Sequence, residues 1–338
     1  MRSGGLRVVL AGASGALGSE LARVLGERGF PVAELAAFGT QRSVGSEVEL
    51  GDDLIPVESE PPPLQGYDLM FLCTPRGPAL ELVRQALRAE LACIDCSGAL
   101  MRSPDVPLGL AERSPAAPLV GAPVIAAPAG PALAWGRVLA ALDDLGGLVR
   151  VAGTVLQTAS RAGTLGIEAL STETVALLSV QPPPEVRVFP TEIAFDCVPR
   201  SVAGPGPDEA DGGLTGDLAA VLERLVGRPV PLAANAVQVP AFVGEGSALF
   251  VELSEAIDPA AALAALDKVP GIARHGAGAG SLPGPSTRDA AGSDDVRIGS
   301  LLSDASCPRG LQLWMVADPL RLAASNAVKL AEARIHLH

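Results

Sequence analysis

The chain predicts a two-domain α/β protein: an N-terminal dinucleotide-binding domain of Rossmann type followed by an α+β domain. Three observations carry that reading. Short apolar runs alternate with helically spaced runs in the N-terminal third, a glycine-rich loop joins the first such run to the first helix, and beyond Pro131 longer strands mix with helices. Alternating strand and helix builds βαβ units and a parallel sheet, whereas a mixture of longer strands and helices builds an α+β unit. At 338 residues and 48% apolar composition the chain can fill both cores, because a single core stops growing at roughly 250–300 residues.

Leu6–Leu10 is a continuous apolar run and reads as the first strand. Ser19–Gly29 repeats apolar residues at helical spacing and closes on glycine, so it reads as the first helix. Val32–Phe38, Asp68–Cys73 and Ala92–Cys96 follow as strands, the last two flanking a helical run at Ala79–Arg88. The resulting order β-α-β-β-α-β is that of a nucleotide-binding domain. Past Pro131 the spacing predicts a helix over Ala132–Leu145 and strands over Val149–Leu156, Glu185–Pro190 and Asn235–Val243. Ser201–Gly213 and Gly276–Ser293 carry the glycine, proline and polar residues of exposed loops. Pro319–Ile335 reads as a long amphipathic helix.

A formal charge of -13 repels phosphate backbones and anionic lipid, which excludes nucleic acid and membrane surfaces and leaves a small molecule as partner. Ser114–Gly136 is uncharged, but Pro115, Pro118, Pro123, Pro128 and Pro131 interrupt it, so no membrane helix is expected there. Met1-Arg2-Ser3 leads almost directly into strand material rather than a long apolar core, and no export signal is expected. The cysteines at 73, 93, 96, 197 and 307 are odd in number. Cys93 and Cys96 meet a C-x-x-C spacing only formally, inside a strand-like run with no second Cys/His pair. A reduced, cytoplasmic protein without metal is the expectation.

Directly after the first strand stands Gly12-Ala13-Ser14-Gly15-Ala16-Leu17-Gly18. Glycines there allow a tight turn and close backbone approach, and the following helix N-terminus offers free N–H groups to a pyrophosphate. The context of strand before and helix after gives the pattern its weight. An NAD site ends its second strand on Asp or Glu to bind the ribose hydroxyls. Here that strand runs into Gly39-Thr40-Gln41-Arg42-Ser43 with no acid. Arg42, with Ser43 beside it, suits a 2′-phosphate and favours NADP(H) over NAD.

The succession of that glycine loop, Thr40–Gly45, Ile94-Asp95-Cys96-Ser97-Gly98, Pro104–Leu108, Gln157–Gly163, Val237–Gly244, Leu313–Asp318 and Ala323–Val328 resembles the aspartate-semialdehyde dehydrogenase family over nearly the whole chain. It is most similar to the Usg-type paralogues, which lack the catalytic cysteine. The resemblance implies an NADP domain at 1–128 completed by a helix at 320–338, a central substrate and dimerisation domain at 129–319, and a homodimer. It adds Cys73, Thr74, Ser97 and Asn326 to the cofactor residues, and suggests amino-acid metabolism by analogy. The family oxidises an aldehyde with NADP and phosphate to an acyl phosphate. That chemistry requires a thiolate to form a thiohemiacetal, hydride transfer to nicotinamide, and attack of phosphate on the thioester.

This chain departs from the pattern at the reacting positions. Gly130, in Ala127-Pro128-Ala129-Gly130-Pro131, stands where the family has its cysteine. Gln238 replaces the carboxylate-binding arginine and Glu245 the histidine base, while Gln157 matches a family glutamine. Met101 stands at a phosphate-binding arginine position with Arg102 next to it, and His275, His336 and His338 do not lie where they would restore the base. Removing a catalytic nucleophile alone lowers rates by on the order of a million-fold. The expected function is therefore an NADP(H)-binding relative without phosphorylating dehydrogenase activity. Two alternatives stand beside it: a divergent NADP-dependent oxidoreductase using Glu245, or a thiol at Cys73 or Cys96, on a carbonyl; and a structural or partner-binding homodimer.

Overall fold

The computed structural model describes residues 5–113, 119, 121–182, 188–199, 213–276 and 284–336. The chain divides into two compact units, Met1–Leu133 with Leu320–His338, and Ala134–Pro319.

The first unit is a doubly wound sheet. Its elements are β1 (Leu6–Ala11), α1 (Ala16–Glu27), β2 (Val32–Phe38), β3 (Glu47–Leu50), β4 (Asp53–Glu58), β5 (Leu69–Leu72), α2 (Arg76–Arg88), β6 (Ala92–Asp95) and β7 (Val124–Ala126). The spatial order is β3-β4-β2-β1-β5-β6-β7, parallel throughout except that β3 runs against β4. From β1 the chain winds outward through β2 and β4, then crosses to β5 on the other side. The strand order thus reverses at β1/β5, the point at which open α/β sheets bind ligands outside their strands' C-terminal ends. Strand periodicity splits the apolar runs between the two faces. Val8, Leu10, Phe71 and Ile94 pack against Leu21, Ala22 and Leu25 of α1 and Ala324, Ala327, Val328 and Ala331 of the C-terminal helix. Val9, Ala11, Met70 and Leu72 pack on the opposite face against Leu82, Val83 and Ala86 of α2. Being covered on both sides makes these strands uniformly apolar in sequence.

Two features of this unit differ from expectation. The hairpin β3/β4 was not anticipated, although Glu47-Val48-Glu49-Leu50 alternates exposed and covered residues and Gly51 turns with φ +63°. The C-terminal helix, Pro319–His336, is not amphipathic: every residue from Leu322 to Val328, then Leu330 and Ala331, is buried. Small side chains at Ala323, Ala324, Ser325 and Ala327 let it sink into the unit rather than float on it.

The second unit holds α3 (Pro131–Gly146), β8 (Leu148–Gln157), α4 (Gly163–Leu178), β9 (Val198–Pro199), α5 (Gly213–Val226), β10 (Leu232–Gln238), β11 (Glu245–Leu253), α6 (Pro259–Leu266), β12 (Ile272–Arg274), β13 (Val296–Ser303) and β14 (Gly310–Ala317). Its sheet is mixed, in the order β12-β13-β14-β11-β8-β10-β9. β8 and β10 are parallel, as are β12 and β13, and the other pairs are antiparallel. Trp135 of α3 anchors the helix to the sheet. Its indole N–H donates to Ser247 Oγ at 2.9 Å, and a Cβ on Gly153 would come within 2.8 Å of its ring.

The strand expected at Asn235–Val243 begins earlier and stops at Gln238, because Pro240 has no N–H to extend the ladder. Of Glu185–Pro190, residues 183–187 lie outside the described residues, and 188–190 form bends, not a strand. Residues 201–212 and 277–283 of the two expected loops also lie outside the described residues, whereas Gly213 opens α5 and Thr287–Ala290 forms a 3-10 turn. No helix among the described residues is long and apolar enough to cross a membrane.

Candidate functional site

In the first unit the candidate residues follow the C-terminal ends of β1, β2, β5 and β6. The glycine loop is fixed by backbone geometry. Gly12 has φ +78°, and a Cβ there would sit 2.6 Å from the Cys73 carbonyl oxygen. A Cβ on Gly18 would collide with the Gly12 carbonyl, so α1 can press against the turn only as glycine. The Gly12 and Ala13 N–H groups donate to the Phe38 carbonyl at 2.9 and 3.1 Å, tying the loop to the end of β2. Gly15 caps α1 without a side-chain hydrogen bond. The N–H groups of Ala16, Leu17 and Gly18 open the first helical turn, where no intrahelical partner exists, and that partial positive charge suits an anion.

Beyond β2, Thr40 caps a single 3-10 turn at Gln41–Ser43, and its N–H donates to Ser43 Oγ at 3.2 Å. Ser43 Oγ also lies 2.6 Å from Ser14 Oγ, so the loops after β1 and β2 are joined by a hydroxyl pair. Arg42 stands exposed on this turn.

Past β5, Thr74 Oγ1 is buried and has no hydrogen-bond partner among the described residues. Past β6, Asp95 is wholly buried and organises the turn: Oδ1 accepts the Ser97 N–H at 2.9 Å and the Ser97 hydroxyl, and Oδ2 accepts the Leu100 N–H at 2.9 Å. Gly98 follows at φ +79°, with Met101 Cε 3.0 Å and Arg76 Nη2 3.5 Å from where its Cβ would be. Met101 is buried and Arg102 partly exposed. Sequence reasoning did not single out Asp95, whose partners Ser97 and Leu100 are local, or Arg76, which comes near Gly98 because β5 and β6 lie side by side. Asn326 is fully buried and its amide is engaged: Oδ1 accepts the Ala111 N–H at 2.9 Å and Nδ2 donates to the Gly109 carbonyl at 3.1 Å.

Cys93 and Cys96 belong to opposite faces of the sheet, Cys96 with the α1 layer and Cys93 with the α2 layer, so they cannot clasp a common ion. Burial, with a smaller contribution from the charge of Asp95, pushes the Cys93 thiol up to about 12. Cys96 is pushed well above the usual thiol range by the neighbouring Cys73 and by burial.

In the second unit, strand register gathers three distant sequence positions into one row. Gln238 pairs with Gln157 across β10/β8, and Glu245 pairs with Gln157 across β11/β8. All three are buried. The adjoining Thr158 hydroxyl donates to the Gly244 carbonyl at 2.6 Å and lies 3.0 Å from Ser160 Oγ. Gly244, at φ +80°, is pressed against the Thr287 carbonyl. Thr158 and Ser160 were not named as site residues; the polar run that ends an apolar strand was the available signal. Gly130 has φ +56° with nothing within 4 Å of its Cβ position, and α3 starts at the next residue, Pro131. His275 lies just past β12 with its N–H on the Ile298 carbonyl at 2.8 Å. The side chains of His336 and His338 lie outside the described residues. No group of three or more metal-binding side chains occurs among the described residues.

Residues 7–118 match the semialdehyde dehydrogenase NAD binding domain, and residues 139–322 match the semialdehyde dehydrogenase dimerisation domain. The chain is 28% identical to the aspartate-semialdehyde dehydrogenase of Synechocystis, over 97% of this chain and 96% of that protein. It is equally, 28%, identical to a USG-1 protein homolog of Azotobacter vinelandii, over 97% of each. Among solved structures, aspartate semialdehyde dehydrogenase II of Vibrio cholerae superimposes with a TM-score of 0.89 at 29% identity, over 98% of this chain and 99% of that one.

Proposed function

We propose that this chain, which belongs to the semialdehyde dehydrogenase family, binds NADP(H) on its first unit but does not perform phosphorylating semialdehyde oxidation. The observation that carries the proposal is a strand–glycine turn–helix unit of the dinucleotide-binding kind in a chain whose position 130 has no side chain. Gly12 and Gly18 permit the close strand–turn–helix packing that a Cβ would block, and Thr74 Oγ1 is a buried hydroxyl without a hydrogen-bond partner among the described residues. Both fit a bound dinucleotide.

In this reading the N–H groups of Ala16, Leu17 and Gly18 hold the pyrophosphate, with Ser14 and Gly15 at the turn. Arg42, Ser43 and Thr40 hold the 2′-phosphate end; Cys73, Thr74 and Ser97 line the nicotinamide end, and Asn326 holds the surrounding loop in place. NADP(H) supplies hydride chemistry when bound. Gly130 provides no sulfur to capture an aldehyde, Gln238 no cation for a substrate carboxylate, and Glu245 a carboxylate where the family has a histidine. We divide the domains functionally at 128/129 and 319/320, and we place the protein in the cytoplasm, a compartment in which disulfides are transient.

We also propose a homodimer. The match to a dimerisation domain supports it, as do Leu165, Val175, Leu178, Val180 and Phe195, which are all more than 60% exposed in the second unit. A second reading, a divergent carbonyl oxidoreductase, is favoured by one observation: a carboxylate, Glu245, stays buried at the end of a strand beside the Gln157 carboxamide, with Gln238 in the same row on the strand beyond.

The test combines calorimetric titration of NADP+ and NAD+ with a spectrophotometric assay for NADP+ reduction by aspartate semialdehyde in phosphate. Saturable NADP+ binding without phosphate-dependent turnover is expected, and Arg42→Ala should weaken NADP+ roughly tenfold while leaving NAD+ unchanged. Phosphate-dependent turnover, or failure to bind NADP+ at millimolar concentration, would overturn the proposal. Carbonyl reduction without phosphate, lost in Glu245→Gln, would establish the second reading.

A further inference from the structure

Two thiols stand side by side beneath the glycine loop. β5 and β6 are parallel, with Leu69 opposite Ala92 and Leu72 opposite Asp95, so the next pair outward is Cys73 opposite Cys96. Side chains at equal register in parallel strands project from the same face, and both residues join the apolar layer that covers α1. Neighbouring strands lie about 4.8 Å apart, within the Cα separation of roughly 4.4–6.8 Å that a disulfide spans. The proximity of Cys73 and burial together push the Cys96 thiol well above the usual range. Both residues fall one position past their strands, and Cys73 is partly exposed while Cys96 is buried. Cys93 is the built-in contrast because it faces the opposite layer, although both Cys93 and Cys96 have an Sγ near the carbonyl two residues before, at 3.7 and 3.9 Å.

We propose that Cys73 and Cys96 form a dithiol/disulfide couple, oxidised by hydroperoxides, whose disulfide state weakens the dinucleotide cradle above it. The second half of this inference rests on the NADP(H)-binding reading; the first half does not. Cys73 is the thiol a small oxidant can reach. As thiolate it attacks one peroxide oxygen and the O–O bond breaks. With hydrogen peroxide the departing hydroxide takes up the thiol proton and leaves as water, and Cys73 becomes a sulfenic acid. The Cys96 sulfur then displaces the hydroxyl group, and its proton leaves with that hydroxide as a second water. Two thiols lose two electrons and two protons, and hydrogen peroxide becomes two waters. The neighbouring Cys73 and complete burial push the Cys96 thiol up, which suits the resolving rather than the attacking role.

The consequence for the cradle follows from contact. The Cys73 carbonyl lies against Gly12 with no room for even a Cβ between them, and Thr74, whose hydroxyl has no partner among the described residues, is the next residue. Drawing Cys73 towards β6 therefore moves the floor on which the glycine turn rests.

The test treats the full-length protein with hydrogen peroxide, blocks remaining thiols, and maps cross-links by mass spectrometry without reduction. Cys93→Ala serves as the mapping background, because Cys93 and Cys96 fall in one tryptic peptide. A Cys73–Cys96 link is expected that dithiothreitol reverses and that neither Cys73→Ser nor Cys96→Ser forms. Oxidised protein should bind NADP+ roughly tenfold more weakly than reduced protein, with Cys96→Ser insensitive to peroxide. Free thiols at 73 and 96 after oxidation, or sulfinic acid at Cys73 in place of a link, would overturn the couple. A link that leaves NADP+ affinity unchanged would overturn its control of the cradle. Reduced protein that binds no NADP+ would instead sink the cofactor reading and, with it, the second half alone, while the link still decides the first.

Discussion

Gly12 and Gly45 both hold a left-handed backbone, at φ +78° and +87°, yet their surroundings differ: Gly12 abuts the Cys73 carbonyl, and Gly45 has nothing within 4 Å of its Cβ position. Substitution separates conformational strain from collision. Gly45→Ala should lower stability by about 1–2 kcal/mol, the strain of a left-handed alanine. Gly12→Ala should lower it by more, because the backbone must also move away from β5, and it should abolish NADP+ binding. Urea denaturation and calorimetric titration of the two variants check this; equal losses in both would show that the close approach at Gly12 does not matter. At this scale the sequence was informative wherever a residue type carries its own constraint. Glycine after a strand, the missing acid after β2 and the missing thiol at 130 were all legible. Asp95 and Thr74 were not recognised for what they do: the bonds of Asp95 reach no further than Leu100, but its complete burial, and that of a Thr74 hydroxyl with no partner among the described residues, is set by neighbours far along the chain.

At the scale of elements, the C-terminal helix shows what an apolar pattern conveys and what it omits. Its extent was read closely, but its setting was not: small apolar residues on several faces mean full burial, and a one-sided reading of the spacing hides that. Asn326 works inside this burial, satisfying both the Gly109 carbonyl and the Ala111 N–H. Asn326→Ala would leave two backbone groups unpaired and should destabilise the protein by roughly 2 kcal/mol or more. Lys329→Ala, which breaks a 2.8 Å ion pair with Glu112 on a partly exposed side of the same helix, should lower stability by less than about 1 kcal/mol. Denaturation midpoints that rank the two variants in the reverse order would contradict this account. The hairpin β3/β4 escaped notice for a related reason: four-residue alternation with a Gly51-Asp52 turn is a short signal, and it is stabilised by packing on β2 and α1 rather than by its own propensity.

For the whole molecule, the prediction is self-association. Val175 and Leu178 are 61% and 72% exposed on α4 in the unit that matches a dimerisation domain. Sedimentation should show a dimer, and Val175→Asp with Leu178→Asp should give a monomer with unchanged far-ultraviolet circular dichroism. A native monomer, or a dimer indifferent to both changes, would remove the basis for that surface. The sequence by itself determined the α/β class and the strand–glycine loop–helix unit, and it supplied the residues, Arg42 and Gly130, on which the proposed 2′-phosphate preference and the proposed loss of the thiol rest. Each of these is a property of residues adjacent in the chain, so local conformational preference and side-chain chemistry suffice to express it. Only the tertiary structure decided that Gln157, Gln238 and Glu245 stand in one row, that Cys73 faces Cys96 and not Cys93, and that Asn326 is spent on a loop. Those facts are set by which strands become neighbours and in what register, and strand pairing is chosen by long-range burial that no local window contains.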